Sequence, residues 1–240
     1  DDATSASVVG INGTVGSFTN SGTIFSSGTT ATGFQAGPFS DIGSVTNTAT
    51  GTIQTTGSDS VGIKIGTNSF FGAGATVVVN NGLVDGMASG VSIASAGSLG
   101  TLSNLGTAAI VRASAANGIA VAVDGILGTI ATSGTIQATQ AGGTAIAVSA
   151  NGRLARIDLL TGGKVQGAGR AIDNSIGASG SFGSPSDFMT INNAGSIVGD
   201  VYQGVYADVL NISAGGTVDG TIVGQTGKGG SVNFALSAGN

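Results

Sequence analysis

The charged side chains of this chain are few: twelve acids, all aspartate, and seven Lys or Arg among 240 residues, with no His, Cys, Trp or Glu. A nucleophile needs a base beside it, usually His, Cys, Lys or a tuned carboxylate. Catalytic triads and ordinary zinc sites cannot be assembled from this inventory. What remains is carboxylate chemistry: sugar-chain cleavage by clustered acids, or calcium held by hard oxygens. Beyond the first two residues the carboxylates are dispersed, at Asp41, Asp59, Asp85, Asp124, Asp158, Asp173, Asp187, Asp200, Asp208 and Asp219. Asp200 and Asp208 form a pair that could take calcium, but no Gly-Gly-x-Gly-x-Asp nonapeptide accompanies them. The string GKGG at 227–230 is followed by no helix pattern and so is not a phosphate loop. The expectation is a protein that is not an enzyme, with no catalytic, cofactor or metal site.

The net charge of −5 argues against nucleic acid as a partner. Four of the seven basic residues, Arg153, Arg156, Lys164 and Arg170, fall close together in sequence. They are expected to form a local positive patch, read first as a solvated face and second as a docking site for an anionic glycan or a neighbour. No apolar run approaches the ~18 residues of a membrane span, so no membrane insertion by this segment is expected. The opening DDATSAS has the look of a processed mature terminus.

The elements that must position these residues come from a repeated phrase of the type polar-x-Gly-Thr-Ile. It appears as NSGTI, ATGTI, NNGLV, NLGTA, TSGTI, TGGKV, NAGSI and AGGTV. The anchoring glycines are Gly22, Gly51, Gly82, Gly106, Gly134, Gly163, Gly195 and Gly216, spaced 21 to 32 residues apart. A period of that size along the whole chain means a solenoid or a propeller. The clearest copy, residues 127–149, holds three alternating β-type runs, LGTIAT, GTIQAT and TAIAV, bounded by glycine. No segment has helical periodicity. A propeller blade needs about four strands and ~40 residues, usually with recurrent aromatics, and is rejected.

Aligned on the glycines, the copies form columns. Four residues before the anchor stand Phe18, Val78, Leu102, Ile130, Leu159, Ile191 and Ile212, with Val45 serving the longer copy at Gly51. Two residues after it stand Ile24, Ile53, Val84, Ala108, Ile136, Val165, Ile197 and Val218. A third strand follows with Ile63 and Ile65, Val91 and Ile93, Ile119 and Val121, Ile146 and Val148. The reading is an all-β, three-strand-per-coil parallel solenoid of about eight coils, a rod roughly 40 Å long at the usual strand spacing. It is one domain over 1–240, with 1–12 and 225–240 as terminal caps or contact segments. Asn20, Asn80, Asn104, Thr132, Thr161 and Asn193 make a polar column two residues before the anchors. It is read as a structural amide ladder before a ligand track.

With NSGTI, TSGTI and the segment NAGSIVGDVYQGVYADVLNISAGGTVDGTIVG (193–224), the chain resembles the β-helical passenger regions of bacterial autotransporters and related surface adhesins. The resemblance covers nearly the whole chain and implies a right-handed parallel β-helix exported across a Gram-negative outer membrane to the cell surface. The C-terminal membrane barrel of a complete autotransporter is not part of this sequence.

The repeats lengthen at roughly 34–41, 66–74 and 177–188, and each lengthening carries aromatics. Loops from one corner of a rod lie on one side, where contact surfaces form. Phe34, Phe39, Phe70, Phe71, Phe182 and Phe188 are therefore candidates for a contact surface, against the alternative that they cap the core. Val232 and Phe234 join them in the last segment. Two functions follow: an adhesive or matrix rod, or a self-assembling subunit of a filament or lattice. Partners would be other copies, a host or neighbouring cell surface, or glycans. Ice binding is a distant third, because Thr23, Thr52, Thr107, Thr135 and Thr217 are interrupted by Leu83, Lys164 and Ser196.

Overall fold

The computed structural model describes residues 7–69, 77–176, 188–204, 208–224 and 230–234. Every regular element among them is a strand. A first strand, β1 (Ser7–Ile11), leads into a coil of β2 (Thr14–Asn20), β3 (Thr23–Ser26) and β4 (Thr32–Ala36). The next coil is β5 (Asp41–Asn47), β6 (Thr52–Thr55) and β7 (Val61–Ile65), followed by β8 (Val77–Asn80), β9 (Leu83–Gly86) and β10 (Ser89–Ile93). Then come β11 (Ser98–Asn104), β12 (Ile110–Ala113) and β13 (Ile119–Val123), and β14 (Ile126–Thr132), β15 (Thr135–Ala138) and β16 (Thr144–Val148). In the following coils the second and third strands fuse: β17 (Arg153–Leu159) with β18 (Lys164–Asp173), then β19 (Thr190–Asn193) with β20 (Ser196–Tyr202). The last elements are β21 (Val209–Ile212), β22 (Thr217–Asp219), β23 (Ile222–Val223) and β24 (Ser231–Phe234).

Each strand pairs in parallel with its counterpart one coil away, as β5 does with β2 and β8. The first strands of the coils form a nine-stranded sheet from β2 to β24. The second and third strands form two limbs of a 15-stranded sheet, joined through the long β18 and β20. The chain is thus a parallel β-solenoid of three-strand coils, as the glycine period and the alternating runs require.

Three inward columns make the core. The first is Phe18, Val45, Val78, Leu102, Ile130, Ile157, Ile191, Leu210 and Val232. The second is Ile24, Ile53, Val84, Val111, Ile136, Val165, Ile197 and Val218. The third runs Val9, Phe34, Ile63, Val91, Val121, Ile146, Ile172, Val201 and Ile222. Like side chains stack on like, and Ile130, Ile136 and Ile146 are fully buried. Burying such a side chain stabilises by about 1.5–3 kcal/mol, which is how strands of four residues persist.

Several sequence expectations are corrected by the lengths of the corners. Counting from the glycine works where two residues join the first and second strands, as Ser21–Gly22, Asn81–Gly82, Ser133–Gly134 and Ala194–Gly195 do. Before Gly163 and Gly216 the corner is two residues longer and turns through Gly162 and Gly215, whose φ values are 83° and 87°. Ile157 and Leu210, not Leu159 and Ile212, therefore occupy the core column. Thr161 lies in that longer corner, outside the polar column, while Asn47 belongs to it. The β11–β12 corner bulges through Gly106 at φ 97°, so Ala108 is exposed and Val111 takes its place. In β13 the inward pair is Val121 and Val123, leaving Ile119 half-buried on the outer face. Phe34 is fully buried in β4, its ring 4.9 Å from that of Phe18, so it is core and no contact residue.

Six of the eight anchor glycines answer to a close approach rather than to φ, the exceptions being Gly22, with nothing near it, and Gly106, with its φ of 97°. A Cβ on Gly82 would lie 2.2 Å from the Gly51 carbonyl oxygen, and one on Gly195 2.3 Å from that of Gly163. At those six positions the stacked corners leave no room for a side chain.

Candidate functional site

The polar column is a buried ladder. The Asn20 amide donates to Asn47 Oδ1, Asn47 to Asn80 and Asn80 to Asn104, each at 2.8 Å, and Asn104 donates to Thr132 Oγ1 at 3.1 Å. Each amide also caps corner carbonyls, as Asn80 does those of Gly82 and Ile110 at 3.0 Å. The Gly82 N–H returns a bond to Asn80 Oδ1 at 3.3 Å. Asn47, Asn80, Asn104 and Thr132 have no exposed surface, so this column holds corners together and offers no track to a ligand.

A second ladder, which the sequence columns did not reveal, runs on the outer face of the nine-stranded sheet. Asn192 donates to Asp158 Oδ1 at 2.8 Å, Asn211 to Asn192 and Asn233 to Asn211, both at 2.9 Å. It is visible only in register, because unequal corner lengths put these residues at unequal distances from their glycines.

The aspartates take separate roles. Asp208 is buried: Oδ1 accepts from the Met189 N–H at 2.8 Å, and Oδ2 from the Gly204 N–H at 2.7 Å and Asn174 Nδ2 at 2.8 Å. It ties three segments of neighbouring coils. Asp200 Oδ1 instead accepts from the Thr221 N–H at 2.8 Å. Among the described residues no three metal-ligating side chains converge. Asp85 is also buried, accepting from Gln54 Nε2 at 3.2 Å, the Arg112 guanidinium at 2.7 Å and Ser114 Oγ at 2.5 Å. The bond to Asp85 holds the Arg112 pKa above its ordinary value, against the opposing effect of burial.

The four basic residues do not form one patch. Arg153 and Arg156 stand on β17 in the nine-stranded sheet, Lys164 and Arg170 on β18 in the other. Arg156 pairs with Asp158 at 2.9 Å, while Arg170 pairs with Asp173 and lies 4.1 Å over the Tyr202 ring. Burial pushes the Asp173 carboxyl up, but the Ser175 hydroxyl and amide and the Arg170 guanidinium outweigh it and hold the pKa below the usual range.

The described aromatic candidates divide. Phe39 is 76% exposed and Phe188 42%, both at the corner from a third strand to the next first strand. Phe39 has φ 62°, in a turn closed by the Ser40 N–H on the Gly37 carbonyl at 3.2 Å. Asn68 and Ala96 take the same conformation at that corner in the next two coils. A bulky side chain there is strained by roughly 1 kcal/mol or more. Phe234 on β24 is 65% exposed, and Val232 is half-buried against the core. Phe70, Phe71 and Phe182 lie outside the described residues. The sequence reading passed over Ile176, 64% exposed at the same type of corner. It borders a groove of about 250 Å³ floored by Ala122 and Ala147 and flanked by Asp124 and Asp173.

No family model, no curated protein and no solved structure matches this chain.

Proposed function

We propose that this chain is a non-enzymatic structural and adhesive β-solenoid of a bacterial cell surface, of the autotransporter-passenger type, exported across the outer membrane. The observation that carries the reading is the continuous parallel register. It makes a stiff scaffold that holds corner residues such as Phe39 and Phe188 at fixed heights along one kind of corner. Two outward columns of the nine-stranded sheet are short and uncharged over the early coils, with Ser17 and Thr19, Ser44 and Thr46, Val77 and Val79, and Thr101 and Ser103, while exposed Asp41 stands at the start of β5 outside them. Such a face suits contact with glycans or another cell's surface better than binding to nucleic acid.

Protease shaving of intact producing cells should remove the rod, and beads coated with it should hold cells or glycan surfaces. Retention of the protein inside shaved cells would reject the surface reading. Beads that bind nothing, or release of oligosaccharides from incubated polysaccharides, would reject the adhesive one.

A second reading is a self-assembling subunit, favoured by exposed Phe234 beside half-buried Val232 on β24. Light scattering of the protein and of Phe234→Ser decides it: an unchanged monomer in both would remove it. Ice binding loses ground, because Ile110 takes the place of Thr107 in the outward column of Thr52 and Leu83.

A further inference from the structure

Four Asn-Gly pairs occur among the described residues: Asn12–Gly13, Asn81–Gly82, Asn117–Gly118 and Asn151–Gly152. This dipeptide is the one most open to attack by a backbone nitrogen on the asparagine side chain, because glycine has no side chain to obstruct the ring closure. The sequence makes the four equal, and the fold does not.

In three of them the glycine is buried and its N–H is held. Gly82 N–H donates to Asn80 Oδ1 at 3.3 Å, Gly118 N–H to the Ala115 carbonyl at 3.1 Å and Gly152 N–H to the Ser149 carbonyl at 2.9 Å. At the bend between β1 and β2, Asn12 and Gly13 are both exposed. The Gly13 N–H makes no hydrogen bond among the described residues, and a Cβ built there would meet nothing within 4 Å. The nitrogen is therefore free to leave its conformation without breaking a bond.

We propose that Asn12 is a spontaneous modification site, the first position of this fold to deamidate. Hydroxide removes the Gly13 N–H proton, and the nitrogen attacks Asn12 Cγ. The new C–N bond closes a succinimide as the side-chain nitrogen leaves, taking a proton from water to become ammonia. Water then opens the ring at either carbonyl, giving aspartate or, with the chain running through Cβ, isoaspartate. The second product adds one backbone atom between two fixed points of the stack. The Ile11 carbonyl accepts from the Gly37 N–H at 2.7 Å and the Gly13 carbonyl from the Asp41 N–H at 3.0 Å. Both cannot hold after that insertion, so β1 should loosen from β4, carrying half-buried Val9 and Ile11 with it.

The test is incubation of the folded protein at mildly alkaline pH, followed by peptide mass mapping and enzymatic isoaspartate detection. Asn12 should convert about tenfold or more faster than Asn81, Asn117 or Asn151, since each of those needs a local opening first. In concentrated urea the four rates should converge, and Asn12→Gln should remove the early product without changing the β spectrum. Folded-state conversion at Asn117 or Asn151 that keeps pace with Asn12 would overturn the proposal. So would a fast Asn12 that stays equally fast relative to the others in urea, because sequence and not fold would then be the cause.

Discussion

The inner ladder of Asn20, Asn47, Asn80, Asn104 and Thr132 and the outer ladder of Asp158, Asn192, Asn211 and Asn233 are built from nearly the same bonds, 2.8 to 3.1 Å long. They differ in polarity and in burial. In the inner ladder each amide nitrogen points to the next coil, and at Asn20 and Asn80 the glycine N–H two residues on fixes the amide oxygen in the matching orientation. In the outer ladder each nitrogen points back, because Asp158 can only accept and so dictates that Asn192 donates. The inner amides also satisfy corner carbonyls that water cannot reach; the outer ones compete with water for every bond. Burial, not bond geometry, should therefore decide what each ladder contributes.

The largest effect marks the limit of burial without a partner. Ile136→Asp places a carboxylate in a fully buried column beside the inner ladder, with no donor arranged for it. It should cost about 4 kcal/mol or more, and the β signal in circular dichroism should melt far below that of the parent. An unchanged melting point would mean that the column does not face inward. Next comes Asn80→Leu, which puts in an apolar side chain that Leu159 already shows the column accepts. It strands the Gly82 and Ile110 carbonyls, the Gly82 N–H and the Asn104 oxygen. We expect a loss of about 2–4 kcal/mol by urea denaturation, since each buried orphan costs about 1–3 kcal/mol.

The same pair of ladders shows what could be read from the sequence. The glycine period and the alternating runs forced a parallel solenoid, and wherever a two-residue corner followed, as at Asn20, Asn80 and Thr132, the ladder was legible too. It failed at two of the lengthened corners, where Asn47 was missed before Gly51 and Thr161 stood in for Leu159; Asn104 was still found because Gly106 follows it by two residues. Register is set by hydrogen bonds between coils, and corner length is free to vary without disturbing them. That is also why the outer ladder stayed hidden, since Asp158 and Asn192 share a column only after pairing. Phe34 misled for a related reason: nearness to a lengthened corner says nothing of which side of the strand a ring faces. For Phe39 the sequence left contact surface and core cap open; the structure exposes the ring, and its left-handed backbone left no mark in the sequence.

Acid sharpens the comparison, because the inner ladder has nothing to titrate. Asp173 has a folded-state pKa below its unfolded value. Its contribution is present above the unfolded pKa and is lost as pH falls through the folded one. The Asp173 side chain is 17% exposed and its partner Arg170 40%, so solvent still reaches the pair and screening keeps the effect small. Between pH 5 and pH 2, as an order-of-magnitude window, amide exchange should quicken around Arg170, Asp173 and Ser175. Protection at Asn47 and Asn80 should stay flat until the rod unfolds as a whole. Equal loss in both places would mean that the coils respond as one unit and that the two regions are not separable by pH.

The smallest effect tests the comparison most directly. Asn211→Ala removes the bond to Asn192 and the one from Asn233, both 2.9 Å, so it deletes as many ladder bonds as Asn80→Leu. Asn211 is only half-buried, and the groups left behind, Asn192 Oδ1 and Asn233 Nδ2, can turn to water. Their desolvation was never complete, so breaking the bonds exchanges protein partners for solvent ones at little net loss. The expected cost is about 0.5 kcal/mol or less by the urea midpoint, with the slope of the transition unchanged. A cost near that of Asn80→Leu would show that stacked amides reinforce one another along the rod whatever their exposure. In that case the hydrogen-bonded chain, and not its burial, would be the stabilising unit.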